Sequence, residues 1–274
     1  MTTVLSLALS VLGSWQEPPE RAPVVNHLER VVVIGASMSA GFGAGRTFTQ
    51  VFEASLRAPH EPVLGLGDGF LFLHPHTIAA HQVEQALDSD PTLVLAIDFL
   101  FWFGYGNLDA EGGPIELESE RLELLETGLA LLEDFACPLV LGDFPDMSGA
   151  VGKMLAPAQM PAKTTLPLLS RRVREWAAAR EQTIVLPLAE AVVQLGSPLE
   201  IRMGRHTFPA GSKLLRPDGL HASLNGLVAV SQFLCDELAK RDLAREADFE
   251  FDLAKVMAKL GKGIELPAEE SAQR

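Results

Sequence analysis

Arg30-Val31-Val32-Val33-Ile34-Gly35-Ala36-Ser37-Met38-Ser39-Ala40-Gly41-Phe42-Gly43 begins as a β-branched run, stops at glycine and passes into a turn of small residues. An unbroken apolar run of this length fits a strand buried on both faces, as in a parallel sheet. Outward from it, residues 61–65, 92–97, 138–142 and 183–187 read as four more strands. Apolar residues at helical spacing predict helices over 47–57, 77–87, 115–135, 166–180 and about 219–238. Strands alternating with helices imply right-handed βαβ units and a parallel sheet covered on both sides. Residues 200–215, with Pro209-Ala210-Gly211 between two short segments, predict an inserted β-hairpin.

The 274 residues carry 36 Asp+Glu against 22 Lys+Arg, a formal charge of −14, and are 47% hydrophobic. Such a chain can bury a large core, and its acidic balance excludes a nucleic-acid binder, which needs a basic face. No run approaches the 18 or so consecutive apolar residues of a spanning helix, so no transmembrane segment is expected. Cys137 and Cys235 lie far apart in apolar surroundings and read as two buried thiols. Residues 1–13 have the length of a secretory apolar core, but the first basic residue is Arg21, so an exported and a cytoplasmic location both stay open. A body at 28–242 is expected between an N-terminal apolar segment with a Pro-rich linker, 1–27, and an amphipathic extension, 243–274. That extension would dock on the body or on a second subunit.

Open parallel sheets bind ligands at the carboxyl ends of their strands. Ser37 stands there, among glycines, where a hydroxyl is exposed and backbone amides converge. It suits a nucleophile beside an oxyanion hole, and equally a helix N-cap. A phosphate-binding loop would need a Gly-Lys-Ser/Thr sequence, yet no lysine precedes Lys153. Farther on, Arg216-Pro217-Asp218-Gly219-Leu220-His221 opens the last helix. A carboxylate three residues ahead of a histidine can hold its Nδ1–H and leave Nε2 to take a serine proton. Taken singly, Asp218 reads as a cap and His221 as a surface histidine; together with Ser37 they favour a Ser-His-Asp hydrolase.

Residues 33–43 resemble the first block of the SGNH (GDSL-like) hydrolases, and Asp218-Gly219-Leu220-His221 resembles that family's closing Asp-x-x-His. The resemblance spans residues 31–238. It implies a flavodoxin-like three-layer α/β/α sandwich with a five-stranded parallel sheet, and an acyl-enzyme ester hydrolase without cofactor or metal. Ser37 would be the nucleophile, His221 the base and Asp218 the orienting acid. The substrate would be a small-molecule or glycan ester, cleaved, transferred or deacetylated by the same residues. A slow or non-catalytic binding relative is the alternative.

Two departures from the family stand out. Its Gly-Asp-Ser is Gly35-Ala36-Ser37 here. Its Gly-x-Asn-Asp is replaced by residues 98–107, where Asp98 or Leu100 takes the donor's place and Asn107 is the nearest asparagine, at a different offset. The expected oxyanion hole is the Ser37 amide with Gly67, preferred to Gly65 and Gly69, and Asn107. Asp98, Phe101 and Trp102, in an aromatic cluster after the third strand, are expected to border the substrate. His74, His76 and His81 lack convincing metal partners, so no metal is expected. The acidic 116–133 stretch and Arg171-Arg172-Val173-Arg174 read as solvated faces.

Overall fold

A computed structural model describes residues 26–108 and 113–261. The apolar segment at 1–13, the linker at 17–23 and the tail beyond 261 lie outside the described residues.

Five parallel strands form the central sheet: β1 (Val31–Val33), β2 (Leu64–Gly65), β3 (Leu93–Ala96), β4 (Leu139–Gly142) and β5 (Thr183–Leu186). Their order is β2-β1-β3-β4-β5, the flavodoxin-like order of a doubly wound sheet. The fold is a three-layer α/β/α sandwich. Every residue of β1, β3 and β4 is buried, which is why those strands read as unbroken apolar runs rather than alternating ones.

Side chains alternate between the two faces. Val31, Val33, Leu93 and Leu95 pack against α1 (Phe48–Ala54) and the later helix over residues 224–240. Val32, Val94 and Leu141 pack on the opposite face, against α2 (Pro75–Asp88), α3 (Phe101–Tyr105), α4 (Glu120–Ala130) and α5 (Thr165–Ala178). Thr47 starts α1 through a capping box, its hydroxyl accepting the Gln50 amide while the Gln50 side chain accepts the Thr47 amide.

Several boundaries differ from the sequence expectation. The long acidic helix is reduced to α4: residues 115–117 are non-helical, and 118–119 and 131–134 are turns. The aromatic stretch after β3 coils into α3. After β5 comes α6 (Leu188–Leu195), which the sequence reading missed. The hairpin exists, as β6 (Ile201–Met203) and β7 (His206–Phe208), but its turn is Gly204-Arg205 and not Pro209-Ala210-Gly211. Gly204, with φ +59°, occupies the first position of the two-residue loop, where a tight hairpin favours glycine. The last long helix, α7 (Leu224–Lys240), begins after residues 219–223, which form a turn instead of its first coil.

The described part of the extension docks on the body. Phe249, Val256, Met257 and Leu260, the last three in and beside α8 (Leu253–Lys259), are buried in the same cluster as Phe48 and Phe52. Both cysteines are free; Cys235 is buried, whereas Cys137 is only half-buried, a correction to the expectation of two buried thiols.

Candidate active site

The chain leaves β1 through Gly35, whose φ of +149° suits glycine alone. A Cβ there would stand 2.1 Å from Asp98 Oδ1. The Gln82 side chain from α2 brackets this backbone, accepting the Gly35 amide and donating to its carbonyl. The next turn is closed by the Ala40 amide on the Ala36 carbonyl and the Phe42 amide on the Ser37 carbonyl. It presents Ser37, half-buried, at the carboxyl edge of the sheet.

Asp98, just past β3, holds that turn from below. Its Oδ2 accepts the Met38 and Ser39 amides at 2.8 and 3.2 Å, and its Oδ1 accepts the Ser39 hydroxyl at 2.6 Å. Burial pushes its carboxyl above the ordinary range, against the opposing pull of the Ser39 hydroxyl and the loop amides.

The other half of the site precedes α7. Asp218 Oδ1 accepts the Leu220 and His221 amides, each at 2.9 Å, and so folds the turn that carries His221. Oδ2 lies 3.1 Å from His221 Nδ1, and His221 Nε2 lies 3.1 Å from Ser37 Oγ. Burial opposes ionisation of Asp218, but the two amides and the imidazole outweigh it and hold its carboxyl at about 2. An ionised carboxylate at Nδ1 keeps a proton there, leaving Nε2 to accept one from the hydroxyl. Phe42 packs against His221 with ring centroids 4.5 Å apart. Arg216 bonds the Gly43 carbonyl and Asp218 Oδ2, tying the Phe42 turn to the carboxylate.

Two cavities meet at Ser37, Leu220 and His221. Phe42, Gly69, Phe72, Trp102, Met154 and Gln159 border the first. The second runs under α6, between Asp98, Phe101 and Met147 on one side and Leu188, Ala191 and Leu195 on the other. Ser37, Asp218 and His221 are thus brought together, Asp98 and Phe101 border the second cavity, and Trp102 borders the first.

Gly67 is packed on the turn, where a Cβ would stand 2.7 Å from Ser39 Cβ and 2.9 Å from the Ala40 amide nitrogen. Asn107 is exposed beyond α3, its carbonyl accepting the Ile115 amide, because the helical aromatic stretch carries it past the sheet edge. Neither borders a cavity. Gly69 does, with open space where its Cβ would be. Among the described residues, neither the Ser37 nor the Gly69 amide has a hydrogen-bond acceptor.

Phe42, Arg216 and the α6 residues escaped the sequence reading. Leu188, Ala191, Val192 and Leu195 do follow the i, i+3, i+4, i+7 pattern, so α6 left a signal. Phe42 and the Arg216–Gly43 contact left none, since those partners are remote in sequence. Among the described residues no three His, Cys, Asp or Glu side chains are grouped to hold a metal, and no helix is long and apolar enough to cross a membrane.

No family model and no curated protein matches the chain. Solved structures resemble it, three of which are the following. A gut microbial diltiazem-metabolizing enzyme is 13% identical at a TM-score of 0.47; the alignment covers 75% of this chain and 46% of that one, so the chain spans about half its length. A lipase from a goat rumen metagenome is 14% identical at 0.42, covering 80% and 99%. An alpha/beta hydrolase enzyme from the metagenome of Lake Arreo, Spain, is 12% identical at 0.45, covering 78% and 95%. Likenesses this distant transfer neither an activity nor a substrate.

Proposed function

We propose that the chain is a serine ester hydrolase of the SGNH (GDSL-like) type, with Ser37 as nucleophile, His221 as general base and Asp218 as orienting acid. The observation that carries this is the continuous hydrogen-bonded line from Asp218 Oδ2 through His221 to Ser37 Oγ, each link 3.1 Å. It opens on two cavities, one for each arm of an ester.

His221 Nε2 takes the Ser37 proton as Oγ bonds to the ester carbonyl carbon. The oxyanion accepts from the Ser37 and Gly69 amides, neither of which has an acceptor among the described residues. As the intermediate collapses, the carbon–alkoxy bond breaks and the alcohol leaves with the proton held by His221. Water, deprotonated by His221, then attacks the acyl-Ser37 ester and releases the carboxylic acid and free Ser37.

A fluorophosphonate probe and a short-chain nitrophenyl ester test the proposal. Covalent labelling of Ser37, with turnover lost in Ser37→Ala and His221→Ala, is expected. Wild-type turnover in either variant would overturn the mechanism. The second reading, a binding relative without efficient chemistry, is favoured by Ala36 and by Asp98 standing where the family has a donor; labelling of Ser37 would overturn it.

A further inference from the structure

An ester has two arms, and the two cavities differ in a way that assigns them. Resting on the ester-hydrolase reading, we infer that the cavity under α6 is the acyl pocket and that the substrates are esters of apolar, uncharged carboxylic acids.

The first cavity has an open rim: Phe42, Phe72 and Met154 are each about 40–50% exposed, at 47%, 39% and 41%. The second is lined by buried Met147, Ala191 and Leu195 and by half-buried Leu188 and Val192, and by no exposed side chain. After the first chemical step the alcohol must leave and water must enter, while the acyl group stays covalently attached to Ser37. The cavity rimmed by exposed side chains suits the departing arm, and the one lined by buried side chains suits the retained arm.

The chemistry of the wall narrows the acyl group. Neither cavity has a Lys or Arg among its lining residues. The only carboxylate in the acyl pocket, Asp98, has its oxygens engaged by Met38 and Ser39. A second carboxylate, a phosphate or a sulfate on the acyl chain would therefore be desolvated with no cation to pair it. A polyhydroxylated chain would find almost no partners. An aliphatic chain gains from each methylene buried, by about fourfold in kcat/KM until the pocket is full. An acetyl group would leave the α6 wall unused.

The test is kcat/KM over nitrophenyl esters from acetate to octanoate, one alcohol throughout, for wild type and Ala191→Phe. The wild type should improve from acetate to a medium chain, and a hemisuccinate ester should run at least about 100-fold below the butyrate. Ala191→Phe should lower the hexanoate-to-acetate ratio at least about tenfold. Val192→Phe, on the half-buried part of the same wall, should do the same and serves if Ala191→Phe does not fold. Met154→Ala, on the open rim, should leave that ratio alone and alter the ratio between methyl and benzyl alcohol esters. A flat wild-type chain-length series, a preferred hemisuccinate, or an acyl ratio moved by Met154 and not by the α6 variants overturns the assignment while Ser37 labelling and turnover persist. Loss of all labelling and turnover in the wild type overturns the hydrolase reading, and the pocket with it.

Discussion

Asp98 accepts the Ser39 hydroxyl at 2.6 Å from beneath the turn that presents Ser37. This buried carboxylate, just past β3, ties the carboxyl ends of β1 and β3 together at the point where the proposed nucleophile leaves the sheet. Asp98→Ala would strand the Met38 and Ser39 amides, at a cost of about 2–4 kcal/mol in stability and with loss of turnover. Asp98→Asn keeps an acceptor for the amides and offers its own N–H to Ser39 Oγ, so it should stay within about 1 kcal/mol of wild type. Chemical denaturation and kcat on both variants check this; equal losses would deny the hydrogen-bonding role.

Asp218 predicts a pH dependence. Its carboxyl ionises more readily in the folded chain, held at about 2, than in the unfolded one. The stability it supplies is therefore complete above the ordinary carboxylate range and is lost as pH falls from about 4 toward about 2. Asp218→Asn should flatten that part of an acid-denaturation curve. It should also lower kcat on the order of 10³–10⁴-fold, since an amide N–H facing Nδ1 favours the wrong imidazole tautomer. An unchanged kcat would remove Asp218 from the mechanism.

Gly35→Ala should cost about 3 kcal/mol or more, because its positive φ and the approach to Asp98 both resist a Cβ. Thermal unfolding reads the loss. The double variant Gly35→Ala/Asp98→Ala should not recover wild-type stability, since removing the carboxylate leaves the backbone strain in place.

Phe42→Ala separates site geometry from stability. The ring is half exposed and packs on His221, so its loss should cost under about 1 kcal/mol of folding. It should lower kcat/KM about 3–10-fold, the worth of an aromatic contact. A variant with unaltered kinetics would make Phe42 mere cover.

Phe249→Ala tests the extension. The ring is 1% exposed in the core shared with α1 and α7, so truncation should cost about 3–5 kcal/mol. An effect under about 1 kcal/mol, measured by denaturant unfolding, would mean the extension is dispensable to the body.

The β-branched runs at β1 and β3 and the glycine ending the first were legible in the amino-acid sequence because a strand buried on both faces must be apolar throughout. Asp218 and His221 were legible as a pair because three residues of separation keep a carboxylate and an imidazole within one turn. The aromatic stretch after β3 was not: its composition suits strand and helix alike, and only packing under α4 coils residues 101–105. Its coiling carries Asn107 out to the surface.

Gly67 lies against the Ser39–Ala40 backbone and Gly69 borders a cavity, placements set by contacts across nearly thirty residues. The roles of Asp98, Phe42 and Arg216 likewise depend on partners 59, 179 and 173 residues away. Local composition and short spacings belong to a stretch of chain and can be read from it. Distances between stretches exist only once the sheet has brought their ends together, and the proposed active site is built from those distances.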